Sequence, residues 1–143
     1  MTSSWNASRI RLEVPDEWRD ETVFRLATED RAVQITIEFE AHFGEAPLEA
    51  HLEARTELAS RDEVDADLVE RGEISLGSLE GRFGVIRIRD EDEPSYIMVV
   101  VALPSPLELL AINVVAEATR WEDARAEIES LVKSIRLDAD EDR

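Results

Sequence analysis

The sequence predicts an α+β fold in which one mostly antiparallel sheet of about six or seven strands is flanked by two helices. Most of the chain consists of short segments in which polar and apolar residues alternate, which is the period of half-buried strands. Turn-forming residues separate many of these segments by only a few positions, and such short connections produce antiparallel hairpins. Two longer segments have apolar residues at intervals of three and four, as amphipathic helices do.

The predicted order of elements is βββαββββα, an α/β/α sandwich. The predicted strands are Arg9–Val14, Thr22–Ala27, Ala32–Glu40, Val69–Leu79, Phe83–Arg89, Ser95–Leu103 and Leu107–Ala116. The third is the clearest, because apolar residues occupy every second position from Val33 to Phe39 and one face therefore belongs to the core. The first three strands are expected to form a meander. The last four are expected to form two hairpins, with turns at Glu80–Arg82 and Pro104–Pro106.

Both predicted helices present an apolar stripe that packs on the sheet. The first begins at Pro47, which suits the first turn of a helix, and its inner stripe consists of Leu48, Leu52 and Ala59. The second has Thr119 as its predicted N-cap and ends near Arg136. The apolar residues on one face of this helix are Trp121, Ala124, Ile128, Leu131, Val132 and Ile135.

The composition indicates one folded, strongly acidic domain. The chain has 143 residues, of which 43% are hydrophobic and 35% charged, and its net charge is -18. We expect the domain to span residues 9–137, with flexible tails at 1–8 and 138–143. An acidic field repels phosphate backbones, which argues against nucleic-acid binding. No apolar run is long enough to cross a bilayer, so we expect a cytoplasmic protein without direct membrane insertion.

No residue pattern predicts a catalytic site, a metal site or a cofactor, so we expect a protein that is not an enzyme. The chain has no cysteine, and its two imidazoles, His42 and His51, lack the spacing of metal ligands on a helix. It has neither a nucleophile elbow nor a phosphate-binding loop. Carboxylates are so abundant that no pair stands out. The acidic segment Asp90–Glu93 lacks the alternating ligands and central glycine of a calcium loop.

The hairpin of the last two strands is apolar at nearly every position, from Tyr96 to Leu103 and from Leu107 to Val115. One interpretation is that the two helices cover both of its faces, which makes these the central strands of the core. The other is that part of the hairpin lines an apolar groove or a homodimer interface. Tyr96 and Met98 fall on the same side of their strand, and both residue types suit apolar recognition.

The segment Val14–Thr22 separates the first two strands by a rigid acidic turn, in which Pro15 is expected to end the strand and Trp18 to plug the sheet. Two more strands, a helix, two hairpins and a last helix with the sequence Ile128–Leu137 follow it. This arrangement resembles the DcrB-related domain, with the PsbP-like α/β/α sandwich, over residues 9–137. The resemblance implies that fold.

Small acidic members without the signal peptide and lipobox cysteine of the family's lipoproteins are similar to the cytosolic Eag-type adaptor chaperones of type VI secretion. The resemblance implies a non-catalytic, homodimeric adaptor chaperone that shields the apolar or transmembrane helices of a secreted effector. It supplies no catalytic residues. The candidate groove residues are Tyr96, Met98, Val100, Leu109, Ala111 and Asn113. The alternative is an acidic accessory or regulatory domain that binds a basic protein partner through its charged surface.

Overall fold

The structure, a computed structural model, describes residues 2–7, 10–15, 23–41, 46–61 and 65–135. Within these ranges the chain forms eight strands and two helices. The strands are β1 (Thr2–Ala7), β2 (Ile10–Pro15), β3 (Val23–Ala27), β4 (Val33–Ala41), β5 (Ala66–Leu76), β6 (Leu79–Ile88), β7 (Ser95–Ser105) and β8 (Glu108–Glu117), and the helices are α1 (Leu48–Ser60) and α2 (Ala118–Lys133).

Six of the strands form one antiparallel sheet with the order β3-β4-β8-β7-β6-β5. The apolar hairpin of β7 and β8 therefore occupies the centre, and β3 and β5 are the outermost strands. This sheet with its two helices confirms the predicted α+β class. The expected meander of three strands is wrong in one respect: β3 pairs with β4, but β2 pairs with β1 in a separate two-stranded sheet.

Residues 2–7, which belong to the tail expected at 1–8, form the strand β1. The backbone of Thr2–Ala7 pairs with β2 along its whole length, and Trp5 lies opposite Leu12 in the register. Only two residues connect β1 and β2, and closing so short a connection costs little chain entropy. β1 can therefore pair with β2 although its own sequence does not alternate polar and apolar residues. The expected role of Trp18 lies outside the described residues, as do His42 and the expected tail at 138–143.

Each helix covers one face of the sheet. On the α2 face, Met98 and Val100 of β7 are fully buried, and α2 adds Trp121, Ala124, Ile128 and Val132 to the same apolar cluster. On the α1 face, Val99 and Val101 are also fully buried, and Leu52 of α1 packs in their cluster. The interpretation of the apolar hairpin as the central strands of the core is therefore confirmed.

Two predicted boundaries are wrong for identifiable reasons. The β5–β6 hairpin turns at Gly77–Ser78 and not at Glu80–Arg82, because Gly77 has a φ of 65°, which glycine adopts without steric cost. The N-cap of α2 is Glu117 and not Thr119. β8 leads directly into α2, and the Ala118 amide donates a hydrogen bond to a loop carbonyl at 2.9 Å, so the helix begins earlier. Neither helix is long and apolar enough to span a bilayer in the described part of the chain.

Candidate functional site

The six groove residues expected from the sequence do not form one surface. The register places Tyr96, Met98 and Val100 on the α2 face. It places Leu109, Ala111 and Asn113 on the α1 face. Met98 and Val100 are fully buried, and Leu109 and Ala111 are 4% and 2% exposed, so these four belong to the core. A single groove made of the six residues is therefore wrong, because the helices that cover the sheet separate and bury them.

Tyr96 belongs to a stack of side chains that attaches α2 to the sheet. Its ring packs on that of Trp121, with centroids 5.1 Å apart, and the Arg125 guanidinium lies 5.6 Å from the Trp121 centroid. Arg125 also donates hydrogen bonds of 2.6 and 2.5 Å to the two carboxylate oxygens of Glu70 on β5. These bonds lower the pKa of Glu70 and raise the pKa of Arg125. This bidentate pair links α2 to β5.

Asn113 lies half-buried on the α1 face, where its Oδ1 atom is buried and has no hydrogen-bond partner in the described structure. On the same face, Arg55 of α1 reaches β4. It donates a hydrogen bond of 2.7 Å to Glu38 and also pairs with Glu40, and its side chain is only 11% exposed. Burial lowers the pKa of Arg55, but the bonds to the two carboxylates outweigh it and the net shift is upward. An ion-pair clamp, and not an apolar groove, therefore links α1 to β4.

The sequence analysis missed an apolar groove on the α2 face, beside the outer strands. We call it the α2 groove; it has a volume of about 150 Å³ and is lined by Leu26 of β3, Val33 and Ile35 of β4, and Ala124, Ile128 and Leu131 of α2. The groove exists because α2 packs over β5, β7 and β8. The outermost strand, β3, therefore extends beyond the helix, whereas Val33 and Ile35 of β4 are buried in the cluster that includes α2. Leu26 stands at the mouth of the groove with 51% of its surface exposed.

The rim of the α2 groove carries charge of both signs, from Arg120 and Glu127 of α2. Arg120 is paired with Asp30 in the β3–β4 turn. The Ala32 amide and the Thr28 hydroxyl donate to the Asp30 carboxylate at 3.1 and 2.7 Å. These two hydrogen bonds, followed by that from Arg120, lower the pKa of Asp30 from 3.8 to about 2. Asp30 thereby neutralises the positive charge of Arg120, whereas no ion pair among the described residues neutralises the negative charge of Glu127.

The α2 groove has the chemistry of a binding surface for an apolar side chain. Its floor and walls are aliphatic, and Thr28 supplies a hydroxyl at one end. Over the ranges that the structure describes, no three His, Cys, Asp or Glu side chains are grouped to hold a metal ion. The alternation that places Leu26 on the α2 face is visible in the sequence. Leu26 is left uncovered by α2 because of the order of the strands in the sheet, and no local sequence pattern reveals that order.

Comparison with known proteins places this site in a family context. The model of the DcrB family matches residues 10–134, which include every residue that lines the α2 groove. The chain belongs to the DcrB family. A comparison of this DcrB-family chain with the curated proteins gave no match.

The DcrB-family chain shares its fold with solved structures. It is similar to PA94 from Pseudomonas aeruginosa, a protein of unknown function described as a candidate regulator, with a TM-score of 0.70 and 17% identity over 95% of this chain and 96% of that one. It is also similar to the cyanobacterial PsbP protein of Synechocystis sp. PCC 6803, with a TM-score of 0.50 and 9% identity over 93% of this chain and 89% of that one. At these identities the comparisons show the PsbP-like fold.

Proposed function

We propose that this DcrB-family chain is a non-catalytic binding protein that holds an apolar segment of a protein partner in the α2 groove. The observation that carries the proposal is the position of Leu26, a large aliphatic side chain that is 51% exposed at the mouth of an aliphatic cavity. Concave apolar surfaces rimmed by charged residues are typical of partner-binding sites. The α2 groove thus replaces the six residues expected from the sequence as the proposed site.

The finer proposal is that the chain acts as an adaptor chaperone. Its partner is a secreted effector with an apolar, membrane-type segment that must be shielded from water until it is inserted. The resemblance to Eag-type adaptor chaperones supports this role, and the net charge of -18 suits it, because acidic side chains keep a complex with an apolar client in solution. The homodimer implied by the resemblance stays a prediction, which sedimentation velocity measures.

The test is co-expression with a carrier protein fused to an apolar segment of about 20 residues. The wild-type chain is expected to co-purify with the fusion and keep it soluble. Leu26→Asp places a charge at the mouth of the groove and should weaken binding about tenfold or more, since burying a leucine side chain contributes about 1.5–3 kcal/mol.

The matched control is Leu107→Asp, because Leu107 is also a large exposed aliphatic residue, at 69%, but lies in the β7–β8 turn away from the groove. It should bind the fusion like the wild type, and both variants should unfold at the wild-type temperature. Equal loss of binding in the two variants, or no loss in either, would contradict the α2 groove as the site.

The second candidate function is an acidic docking domain for a basic partner. The net charge and the exposed acidic residues of α2, among them Glu122, Asp123 and Glu127, favour it. The two functions differ in their response to salt. Binding through exposed charges should weaken strongly when ionic strength rises from about 0.05 to 0.5 M, whereas apolar binding in the groove should change little.

A further inference from the structure

We infer that the partner segment binds as an extended strand, added to the outer edge of β3, with one apolar side chain in the α2 groove and a basic residue beside Glu127. This inference rests on the proposed function and specifies the form and chemistry of the bound segment. Three features of the structure support it: the size of the groove, the difference between the two edges of the sheet, and the charge of the rim.

The size of the groove favours a single anchoring side chain. Its volume of about 150 Å³ matches that of apolar protein cavities that accept a benzene-sized molecule. An α-helix with its side chains is about 10–12 Å across, so even one turn of a helix fills far more space than this groove offers. The α2 groove therefore accommodates one leucine or phenylalanine side chain and not the body of a helix.

The edge of the sheet beside the groove is suited to strand addition. β3 is the outermost strand of the sheet, and Arg25 is its one charged residue. A strand added there would lie about 4.8 Å from β3, with every second side chain on the α2 face. A side chain placed beside Leu26 on that face would reach the mouth of the groove. Main-chain hydrogen bonds then supply affinity, and the groove selects the side chain.

The opposite edge of the sheet is protected against the same reaction. β5 has a register shift between Leu68 and Glu70, where a bulge interrupts its pairing with β6. The charged residues of β5 are Asp67, Glu70, Arg71 and Glu73. Bulges and charged side chains are the features that prevent edge strands from pairing with other chains. Strand addition is therefore assigned to β3.

The charge of the rim favours a basic segment over a second copy of this chain. Arg120 is paired with Asp30, while no ion pair among the described residues involves Glu127. Glu29 lies in the same turn as Asp30, but Arg31 of that turn and Arg25 of β3 carry the opposite charge, so Glu127 is the charge that sets the preference. A second copy would bring another net charge of -18 to this edge, and like charges oppose association. A segment with arginine or lysine beside its apolar anchor complements the rim.

The experiment uses three synthetic peptides of about ten residues. The first alternates leucine and threonine between flanking arginines. The second has glutamates in place of the arginines. The third keeps the first peptide's composition but spaces the leucines at intervals of three and four, so that they align only in a helix. Fluorescence anisotropy measures affinity, and amide hydrogen exchange of the full-length protein locates the contact.

The first peptide is expected to bind at least tenfold more tightly than the other two and to slow exchange of the Val23–Ala27 amides. Glu127→Arg should weaken it about tenfold. Glu122→Arg is the matched control, because it makes the same charge change on α2 at an exposed residue that does not line the groove, and its effect should be much smaller.

Three results would overturn the inference, and they separate it from the proposed function. If the helical peptide binds more tightly than the first and remains sensitive to Leu26→Asp, strand addition is wrong and the proposed function stands. If none of the three peptides binds and Leu26→Asp has no effect on binding of the fusion, strand addition and the proposed function are both wrong. If the peptides fail to bind while the protein dimerises through β3, shown by protected β3 amides at high protein concentration, a second copy occupies the edge.

Discussion

Replacement of Leu52 by alanine tests whether this side chain makes the main apolar attachment of α1 to the sheet. Leu52 is the buried residue of α1, Leu48–Ser60, and is 2% exposed. It packs against the strand residues of the α1 face, including Val99 and Val101. The other contacts of the helix are half-buried apolar residues and ion pairs near its surface, so we expect Leu52→Ala to be the most costly single truncation in α1.

The magnitude follows from the atoms removed. Leucine to alanine deletes about three methylene equivalents, which at about 0.8 kcal/mol each gives about 2.4 kcal/mol of lost transfer free energy. If the site collapses only in part, a residual cavity of about 50–100 Å³ adds about 1–2.4 kcal/mol at about 24 cal/mol per Å³. The expected loss is therefore about 3–5 kcal/mol, a large part of the 5–15 kcal/mol typical of domain stability.

The assay is urea denaturation followed by circular dichroism and tryptophan fluorescence, which should give coincident transitions for a two-state chain. Leu58→Ala is the matched control, because it makes the same substitution in the same helix at a side chain that is 53% exposed. Its cost should stay below about 1 kcal/mol. A loss of similar size in the two variants would refute the assignment of the inner face of α1.

Two further predictions concern charged groups. Arg55→Met keeps the aliphatic stem but leaves the carboxylates of Glu38 and Glu40 without their cation, so urea denaturation should show that the free energy of unfolding falls by about 1–3 kcal/mol. The same change at Arg71, whose side chain is 48% exposed, should lower it by less than about 1 kcal/mol. Equal losses in the two variants would contradict the clamp. Because the pKa of Asp30 is lowered from 3.8 to about 2, its contribution to stability is fully present above 3.8 and disappears as pH falls through about 2. Its carboxyl carbon should titrate near pH 2 by NMR, Asp30→Asn should remove this part of the acid-unfolding curve, and a midpoint near 3.8 would contradict the hydrogen-bonded turn.

The elements that the sequence predicted well are those whose pattern is local. Alternation from Val33 to Phe39 predicted β4, and helical spacing from Trp121 to Val132 predicted the buried face of α2. Both patterns follow from the geometry of a single strand or helix. Helix and strand identity could therefore be assigned without knowledge of the neighbours.

The arrangement of strands could not be predicted in the same way. β4 pairs with β8, which is distant in sequence, and this pairing decides which residues share a face. The candidate groove taken from the family resemblance grouped Met98 with Leu109, whereas the register of β7 and β8 places them on opposite faces. The α2 groove was missed for the same reason, since it depends on α2 packing mainly over β5, β7 and β8 and leaving Leu26 of β3 half exposed.

The two unlike edges of the sheet have a consequence for assembly. A sheet with two receptive edges can add copies at both ends and grow into a filament, because each addition leaves another edge exposed. Among the described strands, the bulge and charges of β5 protect one edge of the six-stranded sheet, and β3 forms the other edge. Two copies paired through β3 would present only their β5 edges, where the bulge and the charges oppose a further strand. Edge pairing between copies of this chain would therefore end at a pair and would not continue into a filament.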